Sequence, residues 1–157
     1  MKTPHTSRSE QETRTHARAF AETLRRGDVV ALYGELGSGK TQFVKGVCEA
    51  FGIRRHVASP TFIIQNRYDG SASDGTPMIL YHFDLYRIER VEEIYDLGYE
   101  EFLFGDGICM IEWAERLGPL LPASRYDVSF SFGDEDRTRL ITIEAVGSGH
   151  ATGERPS

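Results

Sequence analysis

The sequence predicts an α/β fold: one domain, residues 1–146, with a mixed, mainly parallel central sheet flanked by helices. Three observations carry this. Short apolar runs of strand length alternate with segments whose apolar residues recur at helical spacing. A glycine-rich stretch, "YGELGSGKTQF" from Tyr33 to Phe43, joins one such strand to one such helix. The C-terminal runs "YDVSFSF" and "RLITIEA" alternate like an antiparallel hairpin or edge pair.

Each element has its own signal. Ser9 and Glu12 have the spacing of a capping box. Ala17, Phe20, Ala21 and Leu24 follow at helical intervals, with Gly27 as the expected stop. "DVVALYG", Asp28 to Gly34, suits a buried parallel strand. Beyond the glycines, Phe43, Val44, Val47, Cys48 and Phe51 mark one face of a helix that Gly52 ends. "SPTFIIQNRY", Ser59 to Tyr68, reads as a strand entered through a proline, and "GSASDGTP", Gly70 to Pro77, as turn chemistry. "MILYHFDLYR", Met78 to Arg87, is a strand with a polar end; "VEEIYDLG" is one short helix. "GICMIEW", Gly107 to Trp113, is a buried strand ending in an acid. The tail, residues 147–157, is small and polar and expected to be disordered.

Composition bounds the function. With 157 residues, 39% hydrophobic and 27% charged, the chain has room for one core. No apolar run approaches a membrane span, and the polar start, Met1 to Glu12, has no signal-peptide core. Cys48 and Cys109 sit in apolar segments, as buried thiols of a reduced cytoplasm do, and no Cys/His cluster has zinc spacing. A net charge of −6 argues against the chain gripping nucleic acid alone, though not against a role beside a nucleic-acid enzyme.

Gly34, Gly39, Lys40 and Thr41 match GxxxxGK(S/T) between a strand and a helix, the context that makes this a P-loop and the fold that of a P-loop NTPase. Glycines let successive backbone N–H groups turn inward around a phosphate, and the next helix presents its positive end to the same anion. Lys40 is placed to reach the β- and γ-phosphates and Thr41 to offer a hydroxyl to Mg²⁺. Between them Glu35, Leu36, Gly37 and Ser38 need a small footprint against the nucleotide. The bland alternative is a glycine-rich turn that happens to precede a lysine.

A phosphate cradle alone does not hydrolyse; the ion needs an acid and water needs a positioning group. "ICMIE" puts Glu112 after four apolar residues, a Walker-B pattern with Glu for Asp. The alternative is a solvated acid at a strand exit. Trp113 either covers the core edge or flanks the site. In "HFDLYR", His82, Asp84 and Tyr86 share one face of an extended segment. Spacing leaves Asp84 open between ordering water and an inert surface role. For His82 an inert hydrogen-bonded imidazole is the plainer reading, and for Arg87 a surface salt bridge. In "SPTF", Pro60 forces Ser59 toward extended geometry; Thr61 either lends a hydroxyl to γ-phosphate or Mg²⁺ or is an ordinary strand entry.

Taken together and in this order, "GELGSGKT", "SPTF", "HFDLYR" and "IEW" resemble the bacterial ATPase family of tRNA threonylcarbamoyladenosine biosynthesis, TsaE. The resemblance runs from about the first helix to Trp113. It implies a small fold that binds and hydrolyses ATP with Mg²⁺. It also implies association with a threonylcarbamoyl transferase and that enzyme's inactive paralogue, tRNA being met only indirectly. In such a system ATP turnover supports repeated modification of adenosine 37 in tRNAs that read codons beginning with A. By motif, Lys40 and Thr41 hold phosphates and Mg²⁺, Glu112 is the Mg²⁺-side acid, and Asp84 is the catalytic carboxylate. Thr61 and its neighbours form a nucleotide-responsive switch, and Trp113 lies close to the nucleotide site. Glu35 stands where aspartate is common and Ala114 where proline is common, departures that leave the chemistry intact.

Other readings compete. A small-molecule kinase needs an acceptor pocket and lid arginines, and no arginine-rich lid is evident between "IEW" and the C-terminal strands. A GTPase switch has only "NRYD", Asn66 to Asp69, which looks superficially like a guanine-reading box, and the chain lacks DxxG. A nucleotide-binding module without turnover is separated from an ATPase by the consequence of replacing Asp84. The N-terminal helix around Thr13 is a guess for the base pocket. No arginine is evidently placed as a finger in cis, so slow turnover by the isolated chain is expected.

Overall fold

The structure, a computed structural model, describes residues 2–54, 57 and 65–147, with backbone only at residues 2 and 3. Its elements are β1 (Lys2–Ser7), α1 (Glu10–Ala21), β2 (Val29–Tyr33), α2 (Lys40–Ala50), β3 (Gln65–Ser71) and β4 (Pro77–Asp84). Then come α3 (Val91–Asp96), α4 (Tyr99–Leu103), β5 (Ile108–Glu112), two 3₁₀ turns (Ala114–Arg116 and Gly118–Leu120), β6 (Arg125–Phe132) and β7 (Arg139–Val146). The seven strands form one sheet in the order β1-β7-β6-β2-β5-β4-β3. Its four central strands, β6, β2, β5 and β4, run parallel. The flanking pairs β1–β7, β6–β7 and β3–β4 are antiparallel.

Strand alternation splits the core into two layers. Val30 and Leu32 of β2, Leu80 of β4, Met110 of β5 and Phe130 of β6 face α1 and α2, meeting Phe20, Phe43 and Val47. Val29, Ala31, Phe83, Cys109 and Ile111 face the other way, against Ile94 of α3, Leu103 of α4 and Leu117. Ser9 caps α1 as expected: its Oγ accepts the Glu12 N–H at 3.0 Å, while Glu12 Oε1 accepts the Arg8 N–H at 3.1 Å.

Several expected boundaries move. α1 closes at Ala21, well before Gly27; that glycine, at φ +87°, instead turns the chain into β2 and donates its N–H to Gly107 O at 3.2 Å. The turn expected over Gly70 to Pro77 narrows, because Gly70 and Ser71 still pair with Met78 and Pro77. "VEEIYDLG" ends at Asp96, and Gly98, at φ +67°, opens a second helix, α4, that periodicity did not show. β4 stops at Asp84, so Tyr86 and Arg87 lie beyond the strand. β1 was unpredicted: "KTPHTS" is polar and carries a proline, which an edge strand tolerates. Residues 59–64 of the proline-entered strand and 148–157 of the tail lie outside the described residues.

Cys48 and Cys109 are fully buried and unbridged, and burial pushes both thiols up to about 12. An aromatic disulfide reagent at pH 8 is therefore expected to label neither until the chain unfolds in denaturant. Release of one equivalent of thiolate from the native protein within seconds would contradict that. Among the described residues no helix is long and apolar enough to cross a membrane.

Candidate active site

β2 is buried through Leu32 and delivers the chain to Gly34 at the C-terminal end of the parallel strands. A Cβ on Gly34 would stand 2.6 Å from Ser38 Oγ and 3.0 Å from Phe130 Cβ and O. Only glycine lets the loop fold so closely over β6. Gly39, at φ +110°, is the N-cap of α2 and gives it no side-chain cap. The first turn of α2 carries no acid, so its unpaired N–H groups and positive end are left for an anion.

These groups open on a cleft of about 790 Å³. Leu36, Gly37, Gly39, Lys40 and Thr41 form one wall. The Lys40 side chain lies back along its own loop: Nζ donates to Gly34 O and, at 3.2 Å, to Glu35 O. It also stands 3.9 Å from the centre of the Trp113 ring, a cation–π contact. Burial lowers its pKa from the usual lysine value, against the opposing pull of Glu112, Glu115 and Asp84.

The acids arrive from the neighbouring strands. In register, Leu32 of β2 pairs with Glu112 of β5, and Glu112 with Asp84 of β4. Both acids therefore sit at strand C-termini, the usual place for sites in such sheets. Glu112 is buried, and its Oε1 and Oε2 each accept from Thr41 Oγ1 at 3.1 Å. Asp84 lines the cleft, and its Oδ1 accepts the Tyr86 N–H at 3.0 Å. His82 is fully buried, with Nε2 2.5 Å from Glu112 Oε2. Immediately after Glu112, Trp113 takes φ +60°, the one non-glycine residue with positive φ among the described residues. Such a conformation costs about 1–3 kcal/mol and persists only where the surroundings enforce it. Here it lays the indole between Lys40 and the Tyr86 ring, whose centre is 5.0 Å away.

A family model described as threonylcarbamoyl adenosine biosynthesis protein TsaE matches residues 7–141, a span that holds every site element from Thr13 to Arg139. The chain belongs to the TsaE family. It is 42% identical over 138 residues to the tRNA threonylcarbamoyladenosine biosynthesis protein TsaE of Bacillus subtilis (strain 168), covering 88% of this chain and 82% of the relative. It is 40% identical over 138 residues to the protein so named in Treponema pallidum (strain Nichols), covering 87% and 96%. The crystal structure of Bacillus subtilis YdiB superposes with a TM-score of 0.77 at 33% identity, covering 98% of this chain and 91% of that one. The P-loop fold expected from the motifs is thus the fold of this TsaE-family chain.

The structure brings Gly34 to Thr41, Asp84, Glu112 and Trp113 together as the sequence suggested. Ser38 is buried behind the loop, and its Oγ has no hydrogen-bond partner among the described residues. Thr61 lies outside the described residues. Arg87 is exposed and does not line the cleft, and none of Asn66 to Asp69 reaches it. Thr13 does line it, beside Ser9, Glu10 and Gln11 at the start of α1.

Among the cleft residues that the sequence did not single out are Gln42 and two arginines. Arg137 and Arg139, from the β6–β7 turn and the start of β7, line the cleft beside the loop. Arg139 Nη2 donates to Gly37 O at 3.4 Å and its guanidinium lies 4.6 Å from the Phe132 ring centre. No local pattern marks them, because they reach the loop only through the β2–β6 pairing.

Proposed function

We propose that this protein binds ATP with Mg²⁺ in the cleft and hydrolyses it. We further propose that this turnover supports repeated threonylcarbamoylation of adenosine 37 in tRNA by a transferase and its inactive paralogue. The observation that carries the reading is the contact of the Thr41 hydroxyl with the Glu112 carboxylate at 3.1 Å, at the mouth of a bare-backbone loop. A hydroxyl and a carboxylate are hard oxygen donors suited to Mg²⁺. Among the described residues no group of three or more His, Cys, Asp or Glu closes into a cage. That suits an ion which keeps water and phosphate ligands.

Residue roles follow. The amides of Gly34 to Thr41 wrap the phosphates, and Lys40, swung off Gly34 O, bonds the β- and γ-phosphates. Thr41 and Glu112 hold Mg²⁺, which when bound neutralises charge on the transferring phosphoryl group. Asp84 orders the attacking water, and Thr61 belongs to a segment that answers to the γ-phosphate. Arg137 and Arg139 add positive charge to the cleft lining. Leu36, 72% exposed, and Tyr86 give the mouth an apolar rim where a protein partner can sense the nucleotide. Work on tRNA beside such partners places the protein in the cytoplasm.

The test is tRNA modification by the transferase pair with and without this chain. Many rounds per transferase only when the chain and ATP are present support the proposal; equal turnover without the chain refutes it. Lys40→Ala is expected to weaken ATP about 10–100-fold, the worth of a charge-assisted bond of roughly 1.5–3 kcal/mol. An unchanged dissociation constant by fluorescent-nucleotide displacement would remove Lys40 from the phosphate site.

A further inference from the structure

His82 is more than a space-filling imidazole. It sits on the face of β4 that turns toward α2, flanked on that face by Leu80 and Asp84 and paired in register with Met110. With no exposure at all, it occupies a position where an apolar side chain would spare the cost of burying a polar ring. Its hydrogen-bonding capacity goes to one partner. Nε2 lies 2.5 Å from Glu112 Oε2, and Nδ1 has no hydrogen-bond partner among the described residues. A carboxylate only accepts, so Nε2 carries the hydrogen.

Among the described residues the Glu112 carboxylate is held from two elements. His82 of β4 grips Oε2 from within the sheet face, and Thr41 of α2 spans both oxygens from the loop side. The two donors differ in what they do when a cation enters. Thr41 has to turn its hydroxyl so that a lone pair, not the hydrogen, faces the ion. During that change the bond to His82 continues to hold the carboxylate plane. A carboxylate that loses it gains freedom about its terminal torsion, which is broad.

We infer that His82 is a positioning residue for Glu112, holding that carboxylate in the orientation that receives a divalent cation. This rests on the reading of Thr41 and Glu112 as the Mg²⁺-side pair. Partners that orient metal ligands typically set affinity by about 10–100-fold. His82 thus tunes Mg²⁺ binding while leaving the backbone cradle for phosphate untouched.

The single tryptophan, Trp113, against Lys40 gives a fluorescence reading of the site without turnover. Full-length wild type and His82→Leu are titrated with MgCl₂ at fixed ADP, and ADP affinity is measured separately in excess EDTA. For His82→Leu the Mg²⁺ midpoint is expected to rise about 10–100-fold, with EDTA affinity for ADP unchanged. His82→Gln, which restores an N–H, should recover part of the loss; His82→Met, of similar length without one, should not. A wild-type midpoint in His82→Leu overturns the inference. If that variant fails to fold, equal midpoints for the Gln and Met variants overturn it equally. A wild type that shows no Mg²⁺ effect, or a Glu112→Gln variant whose Mg²⁺ midpoint equals the wild type's, removes the Mg²⁺-site reading itself and this inference with it.

Discussion

Asp84→Asn is expected to bind ATP as the wild type does and to hydrolyse it about 10²–10⁴-fold more slowly, the range for a positioned acid–base group. The amide is nearly isosteric and keeps an oxygen to accept the Tyr86 N–H now received by Oδ1 at 3.0 Å. The turn out of β4, and with it Tyr86 against Trp113, is therefore preserved. What disappears is the negative charge beside Glu112, to which Asp84 is paired in register across β4 and β5. A group that aligns water by accepting its proton needs that charge; a group that merely forms the turn does not. Single-turnover phosphate release, run beside nucleotide displacement, separates the two. Wild-type release would reduce Asp84 to a turn-former. An affinity loss equal to the rate loss would make it a phosphate- or cation-binding residue instead.

The chain's local chemistry announced some of this site and concealed the rest for a definable reason. The loop from Gly34 to Thr41 was legible because its signal is contiguous: a buried strand, glycines without side chains, a lysine, a hydroxyl and a helix. Glu112 and Asp84 were legible as acids ending apolar runs, and parallel pairing of β2, β5 and β4 puts such ends side by side. The hairpin of β6 and β7 was legible too, but its place was not. β6 lies against β2, so Phe130 becomes the floor under Gly34, and Arg137 and Arg139 become a wall of the cleft. Nothing in the spacing of those residues encodes which strand they will meet. β1 escaped because an edge strand need not alternate, and α4 because five residues are too few to show a helical period. The bond from His82 to Glu112 was equally hidden; spacing put His82 and Asp84 on one face but said nothing of the neighbouring strand.

Gly46 is the position where replacement should cost the fold most. It lies in the middle of α2, and a Cβ there would stand 2.4 Å from Arg14 O, 2.8 Å from Arg14 Cα and 2.6 Å from Ala17 Cβ. Two effects oppose. Leaving glycine inside a helix gains up to about 1 kcal/mol of helix propensity, least for β-branched residues. Overpacking costs typically about 1–3 kcal/mol, occasionally more, and here the obstruction is helix backbone rather than the tip of a flexible chain. Overpacking wins, and Gly46→Val is expected to lose about 3 kcal/mol. For a chain of this size that is roughly 6–12 °C in thermal midpoint. The surface bonds of Arg14 and Arg18 to Glu49, at 3.4 and 2.9 Å, are too exposed to hold α1 and α2 together against that strain. The damage reaches the cleft as well, because α1 brings Ser9 and Thr13 to its rim and α2 brings Lys40 and Thr41. Driving the helices apart should weaken ATP binding along with stability. Ala17→Gly in the same chain removes one of the clashing atoms and leaves the Arg14 carbonyl, so the pair should recover only part of the loss. Calorimetry of the two single variants and the double variant decides it: a Gly46→Val midpoint at or above wild type would mean that α1 does not press on α2 as closely as these distances require.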